Sequence, residues 1–91
     1  MVEIRNYVTN EVIVQGDFRT VKELLEDSVK KGIELYNANL YKADLQYANL
    51  YKANLQYANL RYANLYKANL RYANLENANL ENADLENANL Q

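Results

Sequence analysis

The sequence predicts an all-β solenoid, a backbone coil with flat sides, preceded by a short β-hairpin and an α-helix. From Ala38 onward an alanine recurs every five residues, and a leucine follows each alanine two positions later. Before this repeat, two stretches alternate apolar and polar residues, and a third has apolar residues at helical spacing. Internal repeats of this regularity are typical of solenoids, whose units bury their apolar faces only against one another. With 91 residues the chain forms one domain at most.

The five-residue period excludes both a single helix and a single strand. An α-helix turns by about 100° per residue, so a step of five spreads the leucines around every side. In a strand the side chains alternate with period two, so successive leucines would point to opposite faces. Within one five-residue phrase, however, alanine and leucine lie two apart and point the same way. A corner between each leucine and the next alanine therefore keeps both residues inside the coil.

These residues resemble the pentapeptide repeat protein family, whose pattern is Ala-(Asn/Asp)-Leu followed by two variable residues. The match covers Ile33 to Gln91, because Ile33 and Leu35 take the alanine and leucine places once more. The resemblance implies a right-handed quadrilateral parallel β-helix with four phrases per coil, and hence about three coils. We expect residues 33–91 to form this β-helix and residues 1–32 to form an N-terminal hairpin and capping helix, within one compact domain overall.

The variable residues support a spacing of twenty residues per coil. At this spacing each of the eight tyrosines in the repeat lies over a polar or cationic residue, as Tyr41 over Arg61 and Tyr47 over Lys67 show. Such pairs favour cation–π contacts. We therefore expect tyrosine–cation pairing between coils and no stacking of one tyrosine on another.

The position between alanine and leucine carries asparagine in most phrases and aspartate at 44 and 84. Asparagine columns can exchange amide hydrogen bonds between coils, so we expect a side-chain ladder. The corners contain no glycine. We therefore expect turns in which both central residues have negative φ, with left-handed geometry tolerated only at three asparagines near the end. These are Asn77, Asn82 and Asn87.

The first 32 residues predict a cover for the N-terminal edge of the coil. Apolar residues alternate on both sides of Thr9-Asn10, which indicates a β-hairpin of residues 2–8 and 11–15. Thr20 and Glu23 have the spacing of a capping box that opens a helix. Gly32 is placed to end that helix. Its expected apolar side consists of Val21, Leu24, Leu25 and Val29.

The C-terminal end leaves two alternatives open. No covering segment follows Leu90 in the sequence, so the last coil would present unpaired backbone groups and leucines. Either the glutamates at 76, 81 and 86 keep this end exposed to water, or two chains meet end to end about a two-fold axis. We favour the homodimer, because the resemblance implies dimers through C-terminal coils and because exposed leucine is costly.

Composition bounds the chemistry of the chain. The absence of cysteine and histidine excludes disulfides and thiolate or imidazole metal sites. Ser28 is expected to be a hydroxyl on the helix surface, and Glu76, Glu81 and Glu86 to be solvated charges on separate sides. We assign no catalytic, cofactor-binding or metal-binding residue, and expect no enzyme activity and no cofactor. The sequence contains no membrane-spanning segment and no secretory signal, so we expect a cytoplasmic location.

The function that these features favour is a non-enzymatic structural or protein-interaction module with an unidentified protein partner. The alternative, implied by the resemblance, is a DNA-mimicking inhibitor of a type II topoisomerase such as DNA gyrase. A basic middle region of the repeat counts against mimicry, and three coils per chain are few for such an inhibitor. Tyrosines among cations also permit single-stranded nucleic acid, but mutual pairing explains the same residues, so we do not expect a nucleic-acid partner. The basic residues are Lys42, Lys52, Arg61, Lys67 and Arg71.

Overall fold

The computed structural model describes residues 1–91. Three regular elements precede the repeat, in the order β1 (Val2–Arg5), β2 (Val12–Gly16) and α1 (Val21–Lys30). Strands β1 and β2 pair antiparallel, with Ile4 opposite Val14. Helix α1, ten residues long, is neither long nor apolar enough to cross a membrane.

The hairpin forms where it is predicted, but β1 ends three residues earlier than expected. The side-chain oxygen Oδ1 of Asn6 accepts hydrogen bonds from the amides of Val8 and Thr9, at 2.8 and 3.1 Å. Asn10 has a φ of 64°, in the left-handed region that asparagine tolerates. Residues 7–9 therefore belong to the loop, because the Asn6 side chain closes a local turn and takes up the amides of Val8 and Thr9.

Helix α1 begins with the capping box that the sequence predicts. The amide of Glu23 donates to Thr20 Oγ1 at 3.1 Å, and the amide of Thr20 donates back to Glu23 Oε1 at 3.1 Å. Leu24 and Leu25 are buried on the side of the helix that faces the coil. The cap satisfies two amides that no carbonyl within the helix can reach.

The end of α1 confirms the role of Gly32 and corrects that of Ser28. The amide of Gly32, at a φ of 72°, donates to the carbonyl of Val29, and the amide of Ile33 donates to that of Ser28, both at 3.0 Å. This pair of bonds is a Schellman motif, in which glycine avoids a steric penalty.

Ser28, expected on the surface, is buried, and its hydroxyl donates to the carbonyl of Leu24 at 2.8 Å. Its spacing of four from Leu24 places it on the buried side.

From Leu35 onward, hydrogen bonds join backbone groups about twenty positions apart. The amide of Leu40 donates to the carbonyl of Asn59, and the amide of Asn59 donates to the carbonyl of Ala38, both at 2.8 Å. Seven parallel bridges keep the same spacing, the first between Asn39 and Asn59. The repeat is therefore a β-helix solenoid. Each side of the solenoid contributes only one bridging residue between two corners, so the repeat contains isolated bridges and no extended strands.

The core of the solenoid is a stack of leucines lined by alanines. Leu60, in the middle of the repeat, is fully buried, as are the leucines from 35 to 65 at 1% exposure or less. Burial decreases toward the C-terminal end, where Leu75, Leu80 and Leu85 are only partly buried and Leu90 is 57% exposed. The apolar residues thus face inward at every phrase, as the period of five predicts.

The hairpin and helix cover the N-terminal edge of the solenoid and bind its free amides. The amide of Asn39 donates to the carbonyl of Arg5 at 2.7 Å. The amide of Asn49 donates to the carboxylate of Glu26 in α1, also at 2.7 Å. Ile4, Leu24 and Leu25 belong to the same buried cluster as the leucines of the repeat. The first coil therefore has partners for backbone groups and apolar side chains at an edge that would otherwise be open.

Candidate interaction surface: the corners of the solenoid

Each corner is a four-residue turn that runs from a leucine to the next alanine. At one corner, the amide of Ala43 donates to the carbonyl of Leu40 at 3.1 Å. The second variable residue of every corner has a φ between 54° and 62°. A positive φ at the third residue of a four-residue turn is the mark of a type II turn. The variable side chains therefore project outward in pairs, two per corner.

The prediction that both central residues of each corner have negative φ is wrong. Lysine and tyrosine adopt the left-handed region at these corners, as asparagine does. This conformation costs roughly 1–2 kcal/mol per residue for side chains other than glycine. It also turns the backbone amide toward the next coil, where Lys42 donates to the carbonyl of Arg61 at 2.9 Å and Tyr47 to that of Tyr66 at 2.8 Å. These hydrogen bonds, with the turn's own bond, offset the strain.

The asparagines support the corners from within each turn, so the predicted amide ladder is also wrong. Asn39 Oδ1 accepts a hydrogen bond from the amide of Tyr41 at 3.2 Å, and Asn74 Oδ1 accepts one from the amide of Glu76 at 3.0 Å. No hydrogen bond joins two side chains of this position. Aspartate offers the same oxygen, which explains its place in two phrases. The residues that accept in this way are Asn39, Asp44, Asn49, Asn54, Asn59, Asn64, Asn69, Asn74, Asn79, Asp84 and Asn89.

The eight tyrosines of the repeat form four ring pairs, one at each of four corners, where the sequence predicts none. The partners are 19 or 21 residues apart, so each pair is diagonal and is not predicted by a spacing of twenty. One pair is stacked with an interplanar angle of 20°, and three are edge-to-face with centroids 5.8 Å apart. Such contacts contribute about 0.5–1.5 kcal/mol each. The pairs are Tyr36–Tyr57, Tyr41–Tyr62, Tyr47–Tyr66 and Tyr51–Tyr72.

Cations occupy the opposite diagonal at three of these corners. The guanidinium carbon of Arg61 lies 5.8 Å from the ring centroid of Tyr41, and Lys67 Nζ lies 5.9 Å from that of Tyr47. These two contacts confirm the predicted pairs. Lys42, by contrast, lies over its neighbour Tyr41 at 5.4 Å and makes no cation–π contact with the expected Tyr62.

These corner residues form a ring around the solenoid, the tyrosine belt. It comprises the two variable residues of each corner within residues 36–52 and 56–72. Seven of its eight tyrosines are 40–65% exposed. Below the belt lie three glutamates, one at each of three corners. One of them, Glu81, pairs through Oε1 with Arg61 Nε at 3.0 Å, where the sequence predicts a solvated charge. The belt is therefore basic and aromatic, and the coil below it is acidic.

The structure contains no group of three or more histidine, cysteine, aspartate or glutamate residues that could hold a metal ion. The glutamates at 76, 81 and 86 stand at separate corners, because the carbonyls of these residues accept hydrogen bonds from three different corner amides. The donors are Tyr57, Tyr62 and Lys67. The surface of the solenoid therefore consists of flat sides and of corners that carry exposed tyrosines.

A backbone coil with alanine and leucine inside and asparagine-supported corners defines a β-helix solenoid built from five-residue units. A family model described as pentapeptide repeats, in eight copies, matches residues 33–71 and 63–91. The chain belongs to the pentapeptide repeat family. It is similar to a pentapeptide repeat protein from Nostoc Pcc 7120 known from a crystal structure, with 29% identity, a TM-score of 0.39, and coverage of 85% of this chain and 80% of that chain. No curated protein matches the sequence.

Proposed function

We propose that the protein is a non-enzymatic structural and protein-interaction module, built on a right-handed quadrilateral β-helix of about three coils. The observation that carries the proposal is the tyrosine belt, with seven exposed tyrosines interleaved with lysine and arginine. Tyrosine and arginine are enriched where proteins bind one another, since they offer apolar area with a polar or charged end. Two bridges in series, Asn39–Asn59 and Asn59–Asn79, support the count of three coils.

Affinity capture from a cell extract tests this function. The double variant Tyr41→Ser/Tyr62→Ser removes one exposed ring pair, and Tyr7→Ser removes a ring of similar exposure outside the belt. We expect a partner that the unmodified protein and the Tyr7 variant both retain and that the double variant loses. Thermal unfolding of each variant shows that the fold is kept. Retention of the same proteins by all three forms would contradict a role for the belt.

The proposal includes a homodimer through the C-terminal coil. At this edge the amides of Leu80 and Leu85 donate no backbone hydrogen bond, and the carbonyls of Ala78 and Ala83 accept none. Donors and acceptors thus alternate along one edge, so a second copy related by a two-fold axis can pair with both kinds of group. The same contact would cover Leu90, which is 57% exposed.

Light scattering as a function of protein and salt concentration tests the dimer. An end-to-end contact brings the glutamates of two copies near one another, so added salt should screen their repulsion and strengthen association. A mass of one chain at every salt concentration would refute this contact. Association that salt weakens would also refute it, since attraction between opposite charges would then hold the copies together.

The topoisomerase alternative is tested by a supercoiling assay with purified gyrase. We expect no inhibition at high protein concentration, because the belt carries five cations where a mimic of DNA needs negative charge. The cytoplasmic location stays a prediction of the same proposal, and cell fractionation checks it.

A further inference from the structure

A cleft of about 600 Å³ separates helix α1 from the side of the solenoid at residues 49–52. Its apolar lining comes from Phe18, Val29 and Tyr51. Its charged lining consists of three carboxylates from α1 and two lysines, one on α1 and one at a corner of the belt. A cleft of this size that mixes aromatic surface with a few charges can admit two or three side chains of a partner.

The three carboxylates of the cleft are all engaged within the protein. Glu23 Oε1 accepts hydrogen bonds from the amides of Arg19 and Thr20, both at 3.1 Å. Glu26 Oε2 accepts one from the amide of Asn49 at 2.7 Å. The third, Asp27, pairs through Oδ2 with Lys31 Nζ at 2.9 Å. These bonds hold the three carboxylates against the protein, and Glu23 and Glu26 keep their negative charge because backbone amides carry no charge.

The two lysines of the cleft have no carboxylate partner. Lys30 and Lys52 take part in none of the three ion pairs of the structure. Lys52 Nζ lies 5.4 Å from the ring centroid of Tyr51, so the ammonium group stands beside an aromatic surface. One turn of the solenoid further on, Arg71 lies over the ring of Tyr72 and is also without an ion pair. The side chains of Lys30 and Lys52 therefore have neither an ion pair nor a hydrogen bond within the protein and can bind a carboxylate of a ligand.

We propose that this cleft binds an acidic protein segment, in which aspartate or glutamate stands next to an aromatic or aliphatic residue. The carboxylate would pair with Lys30 and Lys52, and the apolar residue would contact Phe18 and Tyr51. This inference rests on the proposed function as an interaction module and names the chemistry of its partner.

A nucleic-acid strand fits the cleft less well than a peptide. A peptide can place one carboxylate between the two lysines and continue with uncharged residues. A strand of nucleic acid carries a phosphate at every nucleotide, so its next phosphates would meet the carboxylates of Glu23, Glu26 and Asp27 on the same wall. The charge pattern therefore favours a partner whose negative charges are separated.

The chain provides a matched control for Lys52. Lys42 occupies the same position of its corner, with a φ of 59° against 62°, and its Nζ lies 5.4 Å from the ring of Tyr41. It lines neither cleft of the structure. Replacing either lysine by glutamate changes net charge, turn residue and cation–π contact alike. Only the change at Lys52 alters the proposed site.

Fluorescence anisotropy at low salt tests the inference with a labelled octapeptide that carries a single carboxylate, Gly-Ser-Phe-Asp-Gly-Ser-Gly-Ser with a blocked C-terminus. We expect binding that weakens as salt is added and a Kd raised about fivefold or more by Lys52→Glu. Lys42→Glu should change the Kd less than about twofold. Lys30→Glu, on the helix surface, should match Lys52→Glu and provides a second variant if the corner substitution perturbs folding.

Three results would overturn the inference. These are no binding of the octapeptide at low salt, equal losses for Lys42→Glu and Lys52→Glu, or tighter binding of oligo(dT) than of the octapeptide. None of them bears on whether the Tyr41→Ser/Tyr62→Ser variant loses a captured partner. The cleft and the proposed function can therefore fail separately.

Discussion

Replacing Leu60 by alanine tests the central geometric feature of the fold. Leu60 is 0% exposed and lies between Leu40 and Leu80, which stand twenty residues before and after it in the solenoid. The backbone at this position is fixed on both sides, by the bond from its amide to Asn79 and by the neighbouring bond from Asn59 to Ala38. The surrounding leucines therefore have little freedom to close the space that the substitution leaves.

The expected loss of unfolding free energy is about 3–4 kcal/mol. Substitution of buried leucine by alanine costs about 2–5 kcal/mol, depending on how far the site collapses. The rigid backbone on both sides limits collapse and keeps the expected cost above the lower part of that range. For a domain of this size, each 1 kcal/mol lowers Tm by about 4–8 °C.

Urea and thermal denaturation followed by circular dichroism measure this loss. Val8→Ala is the control, because Val8 is 66% exposed in the hairpin loop and should cost less than about 0.5 kcal/mol. A cost for Leu60→Ala below about 1 kcal/mol would refute the reasoning, since it would place this side chain outside a tightly packed stack. An equal cost for both variants would refute it as well.

Substitutions at three further positions probe the cover, the helix end and the corners. Glu26→Ala should cost about 1–2 kcal/mol, because the amide of Asn49 loses its acceptor; Glu26→Gln should recover part of the loss, and equal costs would contradict the hydrogen bond. Gly32→Ala should cost about 1 kcal/mol from the positive φ alone, since an added Cβ would have no atom within 4 Å; a neutral change would contradict it. Asn59→Asp should change stability by less than about 0.5 kcal/mol and Asn59→Ala should cost about 1 kcal/mol, because only the acceptor oxygen is used and its neighbours in the column, Asn39 and Asn79, are uncharged. Chemical denaturation measures each value.

The sequence predicts those parts of the fold that depend on spacing along the chain. The period of five predicts that the leucines lie inside, and the spacing of twenty residues per coil predicts that Tyr41 lies near Arg61. The capping box and Gly32 mark both ends of α1, because the atoms that make these bonds lie within a few residues of one another. Local hydrogen bonding and regular repetition can both be predicted because they depend only on spacing along the sequence.

The features that the sequence does not predict depend on directions in three dimensions. The left-handed corner residues tilt their side chains sideways, which brings Tyr51 to Tyr72 and leaves Arg71 beside its own neighbour. Burial of Ser28 depends on which side of α1 meets the solenoid. The cleft between α1 and the solenoid depends on how the cover is placed, so nothing in the order of residues near Lys30 and Lys52 indicates that they share it.

Asparagine supports each corner from within its own five-residue unit, and this limits how such a chain can change its length. Since each Ala-Asn-Leu unit stabilises its own turn, an added unit brings everything its corner needs. An insertion of five residues between Tyr51 and Tyr57 would nevertheless rotate all later units by one side, so that every tyrosine would lose its diagonal partner. An insertion of twenty residues would instead return every later corner to its original column. Changes of length by whole turns are therefore the ones that keep each corner residue on its own side of the molecule.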